Sequence, residues 1–167
     1  MPKVRLALAQ TNPTVGALEA NIEAILATVA TAAEGVARAM AGGGKGPVVL
    51  AVSGASAQPL AQRALQLLLE AGEAVELVTS RGAIGVWQAE LGLRVPSEPD
   101  AQEAFWRERT AVSTGQLRCH RWNDQAAGIA SGSFRTRGMV ILPASMGSVG
   151  RMTFGNGTSM LVNGILP

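Results

Sequence analysis

The hydrophobic positions that follow Gly46 form short continuous runs, separated by longer stretches with helical spacing. Val48–Val52 is a continuous apolar run, which is typical of a strand that is buried on both faces. A helix is predicted to begin near Pro59 and to end at Gly72, because apolar residues recur there at three- and four-residue steps. Those residues are Leu60, Ala64, Leu67 and Leu68.

The same alternation continues along the chain. Val75–Val78 is predicted as a second strand, residues 79–82 as a turn and Ile84–Leu91 as a second helix. A polar loop, a helix over Ala101–Arg109 and a buried strand over Met139–Leu142 follow. Strands that alternate with helices predict an α/β fold, three-layered and Rossmann/flavodoxin-like, in which a parallel sheet carries helices on both faces.

A separate strand and helix precede this pattern. Residues 4–9 alternate as a strand does, and a helix is predicted from Leu18 to Met40. The glycine-rich segment 42–47 interrupts the periodicity and is predicted as a linker. It is not a phosphate-binding P-loop, because the residue after Lys45 is glycine rather than serine or threonine.

Composition narrows the classes of function. A chain of 167 residues suits one domain with a short appendage. The net charge is +2, and its basic residues are scattered rather than clustered, so nucleic-acid binding is not expected. Cys119 is the only cysteine and His120 the only histidine, too few ligands for a metal site. Without a signal peptide or a membrane-spanning run, a cytoplasmic protein is expected.

Three predicted strands end in small and hydroxyl-bearing residues. These turns are Ser53–Ser56, Thr79–Ser80 and Ser145–Ser148. Ligands of parallel α/β sheets bind beyond the carboxyl ends of the strands, where such turns leave N–H groups free at helix starts. The first turn lacks the Gly-x-Gly-x-x-Gly spacing, so the pattern favours a mononucleotide or another phosphate ester over NAD.

Four segments, in this order, resemble the signatures of the UbiX-type flavin prenyltransferases: Ala51–Ser56, Val78–Arg81, Asn123–Phe134 and Pro143–Ser148. The resemblance implies reduced FMN as acceptor, dimethylallyl phosphate as donor, and prenylated FMN as product. A UbiD-type decarboxylase would then use that product as its cofactor. No metal is implied.

The resemblance also implies roles for individual residues. Gly54, Ala55 and Ser56 would hold FMN, and Ser56 would also bond near the reacting part of the flavin. Glu90 lies where the family has a carboxylate proposed to help proton transfer, although a solvated helix glutamate is an equal alternative. The remaining pocket positions are Ser80, Ser145, Met146, Gly147 and Ser148.

After Gly155 the sequence departs from the family pattern. Asn163 lies near the position of a family arginine, and the family's residues for the donor phosphate have no counterpart. We therefore expect a flavoprotein domain over residues 48–167 that is incomplete at its C-terminal end, with FMN binding retained and catalysis impaired. An incomplete sheet exposes an apolar edge, so a homo-oligomer is expected unless the N-terminal strand covers that edge.

Residues 4–36 resemble the opening strand and helix of a nitrilase-type glutaminase, the front end of glutamine-dependent NAD synthetases. The catalytic glutamate, lysine and cysteine of that family have no counterpart, so no amidase activity is expected. The predicted organisation is an appendage at residues 1–41, a linker at 42–47 and the flavoprotein domain at 48–167.

Two other functions stay open. The chain could be a non-catalytic FMN-binding or assembly partner of full-length homologues. It could also resemble the flavin-dependent cysteine decarboxylases, which share the fold. Those enzymes usually carry an active-site histidine after the first helix, whereas His120 lies in a different region.

Overall fold

The structure, a computed structural model, describes residues 46–154 and, before them, only residues 24, 27, 31 and 35. Those four are helical, as the prediction for residues 18–40 requires. The predicted strand at residues 4–9, the glutaminase-like resemblance, most of the linker and the chain after residue 154 lie outside the described residues. The proposed domain boundaries therefore stay predictions.

Four strands and four helices make up the described domain. The strands are β1 (Val48–Val52), β2 (Ala74–Thr79), β3 (Gln116–His120) and β4 (Gly138–Ile141). The helices are α1 (Pro59–Glu70), α2 (Arg81–Leu91), α3 (Pro99–Thr110) and α4 (Met146–Phe154), and a short 3₁₀ helix spans Gly128–Ala130. All strand pairs are parallel, in the order β3-β2-β1-β4. The predicted α/β fold with a parallel sheet is confirmed.

The strand order reverses direction at β1. The chain moves outward from β1 to β2 and β3, then returns to place β4 on the other side of β1. In open α/β sheets, the crevice at such a reversal is where ligands bind. The order therefore points to the carboxyl ends of β1 and β4.

The two faces of the sheet are covered differently. The side chains of α1, α2 and α3 pack on one face, together with alternate strand residues such as Leu50 and Leu77. The opposite face carries Ala51, Val78 and Ile141, and it is covered by the connection between β3 and β4. Ile129 of the 3₁₀ helix is buried there, and Trp122 and Phe134 pack against it.

Three elements differ from the sequence-based prediction. Helix α2 begins at Arg81 rather than at Ile84, because the Ser80 side chain caps it and leaves almost no turn. Strand β3 was not predicted, although Leu117 and Cys119 alternate inward along it. The predicted turn at Ser145–Ser148 is largely the first turn of α4.

The amino edge of the sheet is held by polar contacts within the protein. Arg137 donates from Nη1 to both carboxylate oxygens of Glu73, at 2.6 and 2.7 Å. Arg107 donates to three backbone carbonyls of the loop before β3, those of Val112, Thr114 and Gly115. Two guanidinium groups thus tie together the loops that enter the strands.

No helix among the described residues is long and apolar enough to cross a membrane.

Candidate functional site at the carboxyl edge of the sheet

The sheet order brings the three predicted turns together. Strands β2, β1 and β4 are neighbours and run parallel, so the residues that follow them lie at the same edge. Within the described chain this edge combines the starts of α1, α2 and α4. Helix N-termini carry unpaired N–H groups and a partial positive charge, which favours an anionic ligand.

The turn after β1 packs backbone against backbone. A Cβ atom on Gly54 would lie 2.8 Å from the carbonyl carbon and 2.9 Å from the Cα of Gly82. No real Cβ tolerates such contacts, so only glycine allows the turn to approach the start of α2 so closely. The amides of Gly54, Ala55 and Ser56 have no acceptor among the described residues, which leaves three N–H groups for a ligand.

Ser53 joins the first and third turns. Its buried Oγ donates to the carbonyl of Pro143 and accepts from the amide of Ser145, both at 2.7 Å. Its own amide donates to the Pro143 carbonyl at 3.2 Å. The peptide bond between Leu142 and Pro143 is cis. The three hydrogen bonds of Ser53 hold the turns after β1 and β4 in register.

Two serines cap the other helix starts. Ser80 Oγ accepts from the amide of Ala83 at 3.1 Å, and Ser145 Oγ accepts from the amide of Ser148 at 3.2 Å. Such caps satisfy one of the unpaired first-turn amides. The amides that remain without a protein acceptor in the described residues are those of Arg81, Gly82, Met146 and Gly147.

The two predicted catalytic residues meet. Ser56 Oγ donates to Glu90 Oε1 at 2.8 Å, although 34 residues separate them in the sequence. Both side chains are exposed. Glu90 is therefore paired with a residue of the first turn, which distinguishes it from a glutamate that contacts only solvent.

Sequence reasoning missed Gln58 at this edge. Gln58 is fully buried, and its Nε2 donates to the carbonyls of Ser53 and Ala55. Ala57, just before it, has a left-handed backbone with φ of 70°. The available signal was a glutamine at a helix start, directly before Pro59, where a shorter capping residue is usual.

The remaining candidates lie elsewhere. His120 ends β3, two strands from β1, and its Nε2 contacts the carboxylate of Glu76. Cys119 faces the helix-covered core, and burial raises the pKa of its thiol to about 12. Trp87 and Trp106 are buried and stack edge to face with Phe105. Trp87 and Trp106 belong to the hydrophobic core, and the partly buried Phe105 packs against it.

A cavity of about 430 Å³ lies beside α2, lined by Ile84, Val95 and Ala101 among others. None of the predicted site residues lines it. In the part of the chain that the structure describes, no group of three or more His, Cys, Asp or Glu side chains could hold a metal ion. The candidate site is therefore the edge itself, an open cradle of amides and hydroxyls.

The sequence model of one family, described as flavoprotein, matches residues 39–163. The chain belongs to the flavoprotein family. That match covers the four strands and four helices of the described domain, including the three turns at the carboxyl edge.

This flavoprotein chain is similar to the flavin prenyltransferase UbiX of Synechocystis, at 48% identity over 116 residues, covering 69% of this chain and 56% of the relative. UbiX of Pseudomonas aeruginosa is 33% identical over 108 residues, covering 65% of this chain and 52% of that protein. The chain thus spans about half the length of the relatives that it matches.

Two solved structures share the fold. AnUbiX (PadA1), crystallised with FMN and dimethylallyl pyrophosphate, matches with a TM-score of 0.58 at 24% identity, over 72% of this chain and 56% of its own. A dodecameric FMN-dependent UbiX-like decarboxylase from Escherichia coli matches with a TM-score of 0.57 at 26% identity, over 71% of this chain and 58% of its own.

Proposed function

We propose that this chain binds FMN at the carboxyl edge of β1, β2 and β4. The observation that carries the proposal is the cradle of unpaired amides that begins with Gly54, Ala55 and Ser56. A phosphate ester suits it, because backbone N–H groups at helix starts bind phosphate oxygens. Ser80 and the residues from Ser145 to Ser148 would complete the site.

We further propose that the site serves flavin prenyl transfer, in which a dimethylallyl group moves from its phosphate ester to reduced FMN and phosphate leaves. The similarity to flavin prenyltransferases supports this reaction. The product would be the prenylated-FMN cofactor of a UbiD-type decarboxylase. The dodecameric neighbour supports a homo-oligomer.

Ser56 and Glu90 are the proposed catalytic residues. The hydroxyl of Ser56 donates to the Glu90 carboxylate at 2.8 Å, so the pair offers a path for a proton between the first turn and α2. Ser56 would present its oxygen to the ligand, while Glu90 would accept or return the proton.

FMN binding is tested by titrating FMN and following its fluorescence. Saturable quenching at concentrations up to tens of micromolar is expected. Its absence would overturn the binding proposal and, with it, the prenyl-transfer proposal.

Turnover is tested by anaerobic incubation with reduced FMN and either dimethylallyl phosphate or dimethylallyl pyrophosphate, with the flavin product identified by mass. Ser56→Ala and Glu90→Gln are expected to lower turnover by about 100-fold or more, which is the usual contribution of acid–base groups. Glu70→Gln, an exposed glutamate on α1, is the matched control and should match the wild type. Saturable FMN binding without any product would favour the alternative function, in which the chain is a non-catalytic FMN-binding partner of full-length homologues.

A further inference from the structure

Gln58 places a primary amide inside the protein, next to the first turn. The side chain is fully buried, and its Nε2 donates to the carbonyl of Ser53 at 2.8 Å and to that of Ala55 at 2.6 Å. Both partners are acceptors, so only the nitrogen end of the amide can face them. The orientation of Gln58 is therefore fixed by its neighbours.

The residue at the position of Gln58 usually caps the helix that follows it. Gln58 is the N-cap residue of α1, yet its side chain makes no capping hydrogen bond and reaches back to the turn instead. A capping side chain there stabilises a helix by accepting from one of its first free N–H groups. A buried amide is also costly to desolvate, and Oε1 of Gln58 has no partner among the described residues. The glutamine is thus poorly suited to stabilise the helix and well suited to hold the turn.

The two carbonyls that Gln58 holds decide where two amides point. In a planar trans peptide, the C=O of one residue and the N–H of the next point in opposite directions. With the Ser53 carbonyl turned to the buried Gln58, the N–H of Gly54 points away from it. The Ala55 carbonyl fixes the N–H of Ser56 in the same way.

The neighbouring residue shows that the turn needs such a restraint. Ala57 has φ of 70°, a left-handed conformation that is unfavourable for alanine because of its Cβ atom. Strained backbone persists where the surroundings over-determine it. The Gln58 amide and the Ser53 hydroxyl supply these restraints from inside the protein.

We propose that Gln58 is a positioning residue of the ligand site, which aims the N–H groups of Gly54 and Ser56 outward by holding the carbonyls of Ser53 and Ala55. The role rests on the proposed FMN binding, because those amides belong to the proposed cradle. Gln58 itself contacts no ligand in this arrangement.

The test compares two substitutions of the same kind on the full chain. Gln58→Met keeps the length of the side chain and removes its donor. Gln66→Met, on the exposed side of α1, removes only a hydrogen bond to Glu70. FMN affinity is measured by fluorescence well below the melting temperature, and backbone amide spectra and exchange are recorded without ligand.

Gln58→Met is expected to weaken FMN binding about 10-fold or more, since two hydrogen bonds that hold the turn are lost. The amide resonances of Gly54 and Ser56 should shift, while the amides of the strands stay protected from exchange. Gln66→Met should behave as the wild type. Unchanged affinity together with unchanged turn amides in Gln58→Met would overturn the inference and leave the FMN proposal standing.

If the wild type itself does not bind FMN, the proposed function fails, and the amide chemical shifts of Gly54 and Ser56 alone decide whether Gln58 holds the turn. If Gln58→Met does not fold, Gln58→Glu supplies the answer through pH. The neutral introduced carboxyl can donate to one carbonyl, whereas the ionised form repels both. FMN affinity should then fall with rising pH relative to Gln66→Glu. Parallel pH profiles would overturn the inference.

Discussion

The two edges of the sheet use polar groups in opposite ways. At the amino edge, Arg137 and Arg107 donate to Glu73 and to the loop carbonyls, so these guanidinium groups bond to the protein itself, although Nε of Arg137 has no partner among the described residues. At the carboxyl edge, Ser53 and Gln58 bond inward and leave the amides of the first turn without protein partners. The first arrangement stabilises the fold, whereas the second leaves N–H donors that the proposed FMN site would use.

This comparison separates two kinds of mutational effect. Changes at the amino edge should lower stability and leave FMN affinity alone. Changes at the carboxyl edge should act on FMN affinity, with or without an effect on stability.

The largest effect is expected for Gly54→Ala. The added Cβ would lie 2.8 Å from Gly82 backbone, so the turn must move. FMN affinity should fall by about 100-fold, as expected when about two hydrogen bonds to a charged phosphate are lost, and stability should fall by about 1–3 kcal/mol. Fluorescence titration and denaturant unfolding measure the two quantities.

Gly85→Ala is the matched control on α2, because its Cβ would meet nothing within 4 Å. It should gain about 0.5–1 kcal/mol of stability and bind FMN as the wild type does. Equal FMN affinities of Gly54→Ala and Gly85→Ala would show that the first turn does not belong to the FMN site.

Arg137→Met should give the largest effect at the amino edge. It breaks a pair whose side chains are only 24% and 16% exposed, and it leaves Glu73 without its cation. We expect a loss of about 2 kcal/mol on denaturant unfolding, below the value for fully buried pairs, with FMN affinity unchanged. Arg121→Met, which breaks an exposed pair with Glu98, should cost less than about 0.5 kcal/mol. The comparison of the edges would fail if Arg137→Met weakened FMN binding as much as Gly54→Ala.

Cys119 lies between the edges and should affect stability alone. Burial raises the pKa of its thiol from 9.0 to about 12. Between these values the unfolded chain loses the thiol proton and the folded chain keeps it, so stability is full below pH 9 and falls as the pH rises. The slope should approach about 1.4 kcal/mol per pH unit. Between pH 8 and 11, the free energy of unfolding should fall less steeply with pH for Cys119→Ala than for the wild type. Identical slopes for the two proteins would contradict this prediction.

The smallest effects are expected at two left-handed alanines, one at each edge. Ala57 has φ of 70° in the first turn, and Ala111 has φ of 54° at the end of α3. Each alanine-to-glycine variant should gain about 0.5–1 kcal/mol by relieving the strain. Only Ala57→Gly should change FMN affinity, because only that turn contributes to the cradle. Thermal unfolding of both variants measures the gain in stability. A loss of stability would contradict the claim that the alanine backbone is strained at these positions.

The sequence was sufficient for the elements whose pattern is strong. The apolar run Val48–Val52 and the helical spacing after Pro59 correspond to β1 and α1. Strand β3 was missed, because it is a short edge strand in which only Leu117 and Cys119 carry the inward apolar alternation. The start of α2 was placed too late, since Ser80 and the glycine after Arg81 look like a turn until the capping bond is known.

The candidate site was predictable to a similar extent. Hydroxyl and glycine residues after strands indicated the edge, and parallel topology then places them together. The family resemblance indicated Ser56 and Glu90, and the folded structure was needed to show that they form a hydrogen bond. The role of Gln58 was not predictable, because an unusual glutamine at a helix start marks the position but does not show that its amide is buried beneath the turn.

The central claim is that FMN binds at the carboxyl edge of the sheet. The most direct test is a titration of the full chain with FMN that is monitored by amide-resolved NMR. We predict saturable shifts at Gly54, Ala55, Ser56 and the starts of α2 and α4, with the amides of Gly115, Gln116 and Arg137 unchanged. Saturable shifts at the amino edge, or no saturable shift at the carboxyl edge, would contradict the account.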